Sequence, residues 1–196
     1  MKIKTLSIKV IIFSLSLLYG QQNGSTYLIN LISPNFIPFK YNLETNQWSD
    51  ALNTTNPGGD DNCEITYDSE NRKIIAVTNA NNNLYADIYS PDNNSWLQGS
   101  SVQASAGLNF DEGLCYDSES NKVMLMAFTS NGLKPFIYDT QNNTWDEREY
   151  YGVGNHAESA VAYDSESDVA IYFIWVGSLQ DIRAHSYDYN NNQWNQ

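Results

Sequence analysis

The chain predicts an all-β protein assembled from about four tandem repeats. Three features carry that expectation. A Tyr followed seven residues later by a Trp recurs at nearly constant spacing. A Tyr-Asp-Ser-Glu tetrapeptide interleaves with these pairs. Aromatic residues make up 13% of the chain, with 14 Tyr and 5 Trp, and such side chains suit pleated, half-buried surfaces. A hydrophobic content of 41% supplies a core and argues against a disordered chain.

The N-terminus stands apart. Lys2, Lys4 and Lys9 precede the apolar run VIIFSLSLL at 10–18, which exits near Tyr19-Gly20-Gln21. A basic start, a short apolar stretch and a small residue at the exit describe a secretory signal peptide over residues 1–22. The run is short for a bilayer span. Leu18 departs from the small-residue rule three positions before the cut, which leaves an uncleaved anchor as the alternative. Residues 23–196 are the expected mature, extracellular chain, with no membrane span. Removing the three lysines from ten basic residues leaves seven against 23 acids, a net charge of −16. Like charges repel, so nucleic acid and anionic membrane surfaces are disfavoured as partners.

The mature chain is periodic. The aromatic pairs are Tyr41/Trp48, Tyr89/Trp96, Tyr138/Trp145 and Tyr187/Trp194, with successive Trp residues 48, 49 and 49 apart. Each pair brackets a polar hexapeptide: NLETNQ, SPDNNS, DTQNNT or DYNNNQ. Asn, Asp, Pro and Ser suit tight turns. Tyr-Asp-Ser-Glu occurs at Tyr67, Tyr116 and Tyr163, and each copy leads into an apolar run: KIIAV, KVMLMAF or DVAIYFIW. A strand ending in Tyr, a polar turn and a continuously apolar strand describe a hairpin whose second strand is buried on both faces. In these turns Asp68, Asp117 and Asp164 are expected to bond the backbone rather than a ligand. Each unit therefore reads as four strands, over 25–55, 56–104, 105–152 and 153–196. The first unit opens on YLINLI and lacks the Tyr-Asp-Ser-Glu hairpin. The last stops just after Trp194, before an expected outer strand.

Four short strands per unit with Tyr-x6-Trp near the end resemble the Kelch repeat family. The resemblance runs from about Ser25 to Trp194. It implies a Kelch-like β-propeller or partial propeller of about four blades, each a four-stranded antiparallel sheet. It also implies that the eight paired Tyr and Trp residues pack between blades. The Gly-Gly pair usual in that family is replaced by Thr78-Asn79, Thr129-Ser130 and Trp175-Val176, so loop geometry there diverges. Kelch propellers normally close with more blades. Three outcomes stay open: a small closed ring, an open arc, or a homo-oligomer completing the ring.

Function is less legible. In propellers, loops at the channel mouth meet ligands, and the approach to each first strand carries Asp60, Asp61, Glu64, Asp111, Glu112, His156 and Glu158. Crowded carboxylates can hold a sugar, a basic peptide or Ca²⁺, or serve as a solvated acidic rim. No EF-hand loop or compact metal motif accompanies them. His156 and His185 stand 29 residues apart, and no Gly-x-Ser-x-Gly elbow is present. No cofactor is expected. The expected function is a secreted, non-catalytic binding or adhesion module for protein or glycan, with Tyr150 or Tyr151 as a stacking platform. The alternatives are a carbohydrate-active enzyme using paired carboxylates and a partial propeller without independent function. Cys63 and Cys115 form one disulfide or remain buried thiols. Asn23, Asn53, Asn93 and Asn142 begin glycosylation sequons.

Overall fold

The computed structural model describes residues 25–32, 35–50, 54–55, 63–104, 108–129, 131–152, 158–176 and 180–195. The expected leader, Asp60, Asp61, His156 and the sequons at Asn23 and Asn53 lie outside them. Every named element is a β-strand, and the strands form four antiparallel four-stranded sheets. The chain falls into two units, Met1–Asp61 and Asn62–Gln196.

The first unit holds one sheet. Strand β1 (Ser25–Ile32) pairs with β2 (Asn35–Asn42), which pairs with β3 (Gln47–Asp50) and then with the two-residue β4 (Thr54–Thr55). Phe36 is fully buried, whereas Tyr41 is half-buried. Trp48 contradicts the expectation that every paired Trp packs between sheets, because it is 55% exposed.

The second unit holds three sheets in chain order. The second sheet comprises β5 (Cys63–Asp68), β6 (Lys73–Ala80), β7 (Asn83–Ser90) and β8 (Ser95–Gln103). The third comprises β9 (Leu108–Asp117), β10 (Lys122–Thr129), β11 (Gly132–Asp139) and β12 (Thr144–Glu147). The fourth comprises β13 (Glu158–Asp164), β14 (Val169–Val176), β15 (Asp181–Asp188) and β16 (Gln193–Asn195). The last repeat thus does have an outer strand. Three residues suffice for it because Trp194 pairs directly with Tyr187.

The core is two sheet-on-sheet layers. Ile75, Val77, Leu84 and Ile88 of the second sheet meet Leu125, Phe136 and Tyr138 of the third. Met124, Met126 and Ile137, on the third sheet's other face, meet Tyr172, Ile174 and Tyr187 of the fourth. Alternate residues of β10 therefore serve two interfaces, which is why that strand is apolar throughout. The tyrosines of the repeat are the wedges. Tyr138 and Tyr187 are fully buried, each tilted on its Trp at 4.9 Å. The Trp145 Nε1–H donates to the Ser100 carbonyl at 3.0 Å, tying the third sheet to β8. Tyr89 is buried and tilted on Trp96 at 5.0 Å.

One hairpin turn recurs through both landmarks. Five residues after the Tyr stands a residue with positive φ, an Asn or Asp in Asn46, Asn94, Asn121, Asn143, Asp168 and Asn192 and Arg72 after Tyr67. The Asn or Asp side-chain oxygen accepts the Tyr hydroxyl, at 2.8 Å for Tyr138 and Asn143 and at 2.9 Å for Tyr187 and Asn192. Asn and Asp tolerate that left-handed backbone better than other non-glycine residues. Directly after the Tyr, an Asp or Asn caps the turn. Asp139 accepts the Gln141 and Asn142 N–H groups at 2.9 Å. Asp117 does the same with the Glu119 and Ser120 N–H groups, Asp68 accepts the backbone and side-chain N–H groups of Asn71, and both acids are also buried. The Thr140 hydroxyl donates to Asp68 at 3.1 Å, and the Tyr116 and Tyr163 hydroxyls, which donate to Asn121 and Asp168, also stand close to the Asp68 and Asp117 carboxylates. Burial, together with these carboxylate contacts, raises both phenol pKa values.

No disulfide joins Cys63 and Cys115, so the bridge allowed by the even count is not formed. The cause is the third sheet's thickness. Cys115 belongs to the layer facing the fourth sheet, whereas Cys63 sits on the second sheet. Burial pushes the Cys115 thiol up to about 12, with the Asp117 charge adding to it.

Candidate functional site

The first strands of the second unit position the candidate acids. Strand β9 lies between β5 and β13. Gly113 abuts Val161, and further along Asp117 meets the Tyr163 hydroxyl. Both contacts advance in the same chain direction, so β9 and β13 run parallel. Asp111 and Glu112 therefore share one end of the unit with Glu158, the first residue of β13. Counting back from the paired tyrosines places Glu64 of β5 level with Gly113. Glu64 is half-buried and pairs across the ladder with Val77.

The pairing of β9 with β10 breaks at this place. Gly113 pairs with Met126 and Asn109 with Phe128. Phe110, Asp111 and Glu112 therefore span the gap opposite the single residue Ala127. That is a β-bulge. Bulges disrupt the ladder, bend the strand and re-aim side chains, and they concentrate beside functional sites. The sequence offered Gly113 as a signal for it, since an isolated strand glycine marks a bulge or close backbone approach.

Other expected or overlooked groups have structural roles. Tyr150 receives the Lys134 ammonium at 4.0 Å from its ring centre, and Lys134 also pairs with Glu147 at 2.7 Å. Tyr151 stacks on Trp194 at 5.0 Å. Both tyrosines are half-buried and engaged, which corrects their expected role as an open stacking platform. Asn93 and Asn142 are exposed at turn tips. Buried His185 lies edge-on to Tyr151 at 5.1 Å, and burial, then the Arg183 charge, lowers its pKa. Among the described residues, no group of three or more His, Cys, Asp or Glu is placed to hold a metal ion.

Asp87 on β7 is the acid that sequence reasoning missed. It is 2% exposed, and its Oδ2 has no hydrogen-bond partner. Burial pushes its pKa up to about 6. The folded chain therefore holds this proton more tightly than the unfolded chain, whose Asp titrates near 3.9. The associated stability is complete below about pH 4 and is lost as pH rises through about 6. Asp87→Asn is expected to be more stable than the parent at pH 7, by up to about 3 kcal/mol, and equal to it near pH 4. Urea midpoints across that range check this. A difference that does not change with pH would contradict it.

No protein-family model and no curated protein sequence matches the chain. Solved structures do. A protein from Lactobacillus plantarum superposes with a TM-score of 0.62 at 10% identity, over 87% of this chain and 50% of that one. A nidogen/laminin complex gives 0.59 at 7% identity, over 88% and 60%. An auxiliary nutrient binding protein from Bacteroides thetaiotaomicron gives 0.56 at 12% identity, over 87% and 37%. The chain spans between 37% and 61% of the length of such structures. At these identities the likeness speaks for architecture alone: this chain has a β-propeller-like fold of four-stranded antiparallel sheets.

Proposed function

We propose that this chain is a secreted, non-catalytic binding module of divergent Kelch-like repeats. Its ligand is a protein or a glycan, taken at the end of β9 and β13 that carries Asp111, Glu112 and Glu158 in the sequence. The bulge at 110–112 carries this reading. β9 is the edge strand of its sheet, and a bulge there bends the strand and re-aims its side chains, as bulges at sheet edges and beside functional sites do. Two carboxylates inside it and a third at the start of the next inner strand favour partners rich in hydroxyls or positive charge. The basic leader supports secretion, and exposed Asn93 and Asn142 suit glycosylation in a host that performs it. A nutrient binding protein and a laminin-bound nidogen share the architecture, which is compatible with binding on this scaffold.

The test is a screen of the purified chain against immobilised glycans and basic peptides, with and without calcium. Asp111→Ala/Glu112→Ala/Glu158→Ala is expected to weaken the captured ligand at least about tenfold, or about 1.4 kcal/mol, with the melting temperature unchanged. A ligand bound equally well by that variant overturns the assignment of the site. Glycoside turnover abolished by Glu112→Ala would replace the binding reading with the enzymatic one.

A further inference from the structure

In each repeat the chain after the Trp runs back along the strand that carries the paired Tyr, and three sheets show how far it normally runs. In the second sheet, β8 pairs with β7 from Ser90 back to Asn83, with Val102 opposite Leu84. In the third, the chain beyond β12 returns to β11. Tyr151 exchanges both backbone bonds with Leu133, at 2.8 and 3.0 Å, and the Arg148 N–H donates to the Pro135 carbonyl at 3.0 Å. In the first, Thr54 of β4 stands opposite Phe36. Phe36, Leu84 and Leu133 each lie five residues before the Tyr of their Tyr–Trp pair.

The equivalent residue of the fourth sheet is Ile182. β16 pairs with β15 only over Ser186–Asp188. Among the described residues, no strand or bridge pairs with the outer side of β15 from Asp181 to His185. Ile182 is 66% exposed, and Ala184 is exposed as well. By its place in the repeat, Ile182 aims its N–H and C=O outward, as Leu133 does. Ala184 does the same, because main-chain groups alternate along a strand. Side chains alternate too, so Ile182 and Ala184 share a face with Trp175 and Phe173, their neighbours on β14. Phe173 is 43% exposed. The charged residues of this stretch, Asp181 and Arg183, lie on the opposite face and pair with each other at 3.6 Å. The edge therefore offers main-chain donors and acceptors beside an uncharged surface, and neither proline nor bulge interrupts it, although exposed edges are usually blunted by such devices.

We propose that the outer edge of β15 at Ile182–Ala184 receives an extended peptide segment of a partner protein, added antiparallel as a further stretch of outer strand. The occupant is an extended peptide because the same place in each of the other three sheets holds extended backbone. Addition of a strand to an open sheet edge is a recurring mode of peptide recognition, in which main-chain bonds supply affinity and alternate side chains supply selectivity. The residues opposite the equivalents of Ile182 state that selectivity: Thr54, Val102 and Tyr151 are β-branched or aromatic. Val102 packs on the same face as Leu84, and Tyr151 on the same face as Leu133. A peptide residue opposite Ile182 therefore lies beside it and takes it out of water. Proline is excluded from that position, since it has no N–H to donate. The site is on an outer strand, so this inference is independent of the ligand reading above, which rests on acids of β9 and β13.

The probe is a synthetic peptide with the sequence of Gly99–Ala104, GSSVQA, whose Val102 stands opposite Leu84 in this chain's own second sheet. Titrated into the full chain, it is expected to saturate with a dissociation constant of about a millimolar or tighter. Amide hydrogen exchange at Ile182 and Ala184 is expected to slow at least about tenfold in the complex. The same peptide carrying Val102→Pro is expected not to bind. In the protein, Ile182→Pro is expected to abolish binding at an unchanged melting temperature, because proline is tolerated on an edge where its missing N–H faces solvent. If that variant melts early, joining GSSVQA after Gln196 serves instead. Counted from the Trp, this places the added valine opposite Ile182, so the melting temperature is expected to rise and free peptide to be excluded. Absence of binding at about 5 mM peptide, above a millimolar dissociation constant, overturns the proposal. So does binding that survives Ile182→Pro or the joined strand, or that the proline peptide reproduces. Amides of Ile182 and Ala184 already protected in the free chain also overturn it, since the edge would then be covered by the chain itself or by a second copy.

Discussion

Tyr138→Ala is expected to cost about 3–5 kcal/mol of folding stability, whereas the same change at Tyr41 is expected to cost about 1 kcal/mol in dilute solution. Both residues begin a Tyr-x6-Trp motif, and each hydroxyl meets the Asn five residues on. The difference lies in what surrounds them. Tyr138 is fully buried between the second and third sheets. Its loss opens an aromatic-sized cavity, and burial holds its phenol up at about 12, with nearby Asp139 contributing. The Asn143 carbonyl that accepts its hydroxyl also accepts the Ser100 N–H at 2.5 Å, so the turn and the adjoining strand loosen together. Tyr41 is half-buried and gives up far less. Urea unfolding of both variants, with the slope checked for unchanged two-state behaviour, separates the cases. Equal losses would mean that the motif acts within its own hairpin and not between sheets.

Gly113→Val is expected to cost at least about 3 kcal/mol, the upper part of the range for overpacking a core. Strand propensity alone argues the opposite sign, since valine outranks glycine in strands. A Cβ at Gly113 would stand 2.8 Å from Val161 Cγ1 and 3.1 Å from the Val161 backbone nitrogen. Val161 is stiff at χ1, and the nitrogen can move only with its strand. Thermal melts of Gly113→Val, Gly113→Ala and Gly113→Val/Val161→Ala check this. The double variant should recover the part due to the Val161 side chain and leave the part due to its backbone. Full stability in Gly113→Val would show that β9 and β13 are not closely apposed there.

Much of the fold was legible because repetition multiplies weak signals. One Tyr, one Asp and one Asn in a hexapeptide mean little alone, but their recurrence at the same offsets marks hairpins. The two landmarks are in fact one turn, and the Asn or Asp five residues after the Tyr was its visible signature in every copy but that of Tyr67, where Arg72 takes the position. The candidate site was legible only as a list of acids. That Asp111 and Glu112 occupy a bulge depends on which residues of β10 lie opposite, a pairing set by contacts across the sheet. Asp87 escaped notice because a lone acid in a strand looks like a solvent-facing position until the neighbouring layers are in place.

The order of strands and turns, the apolar inner strands and the aromatic wedges follow from the residues themselves, because backbone geometry and side-chain alternation are local. Whether a given wedge is buried is not local. Tyr138 and Tyr41 carry the same motif, yet one lies under a sheet and the other is half open to water. Cys63 and Cys115 likewise suit a bridge by count, and a whole sheet stands between them. Those differences arise from what each sheet packs against, and only the assembled structure decides that.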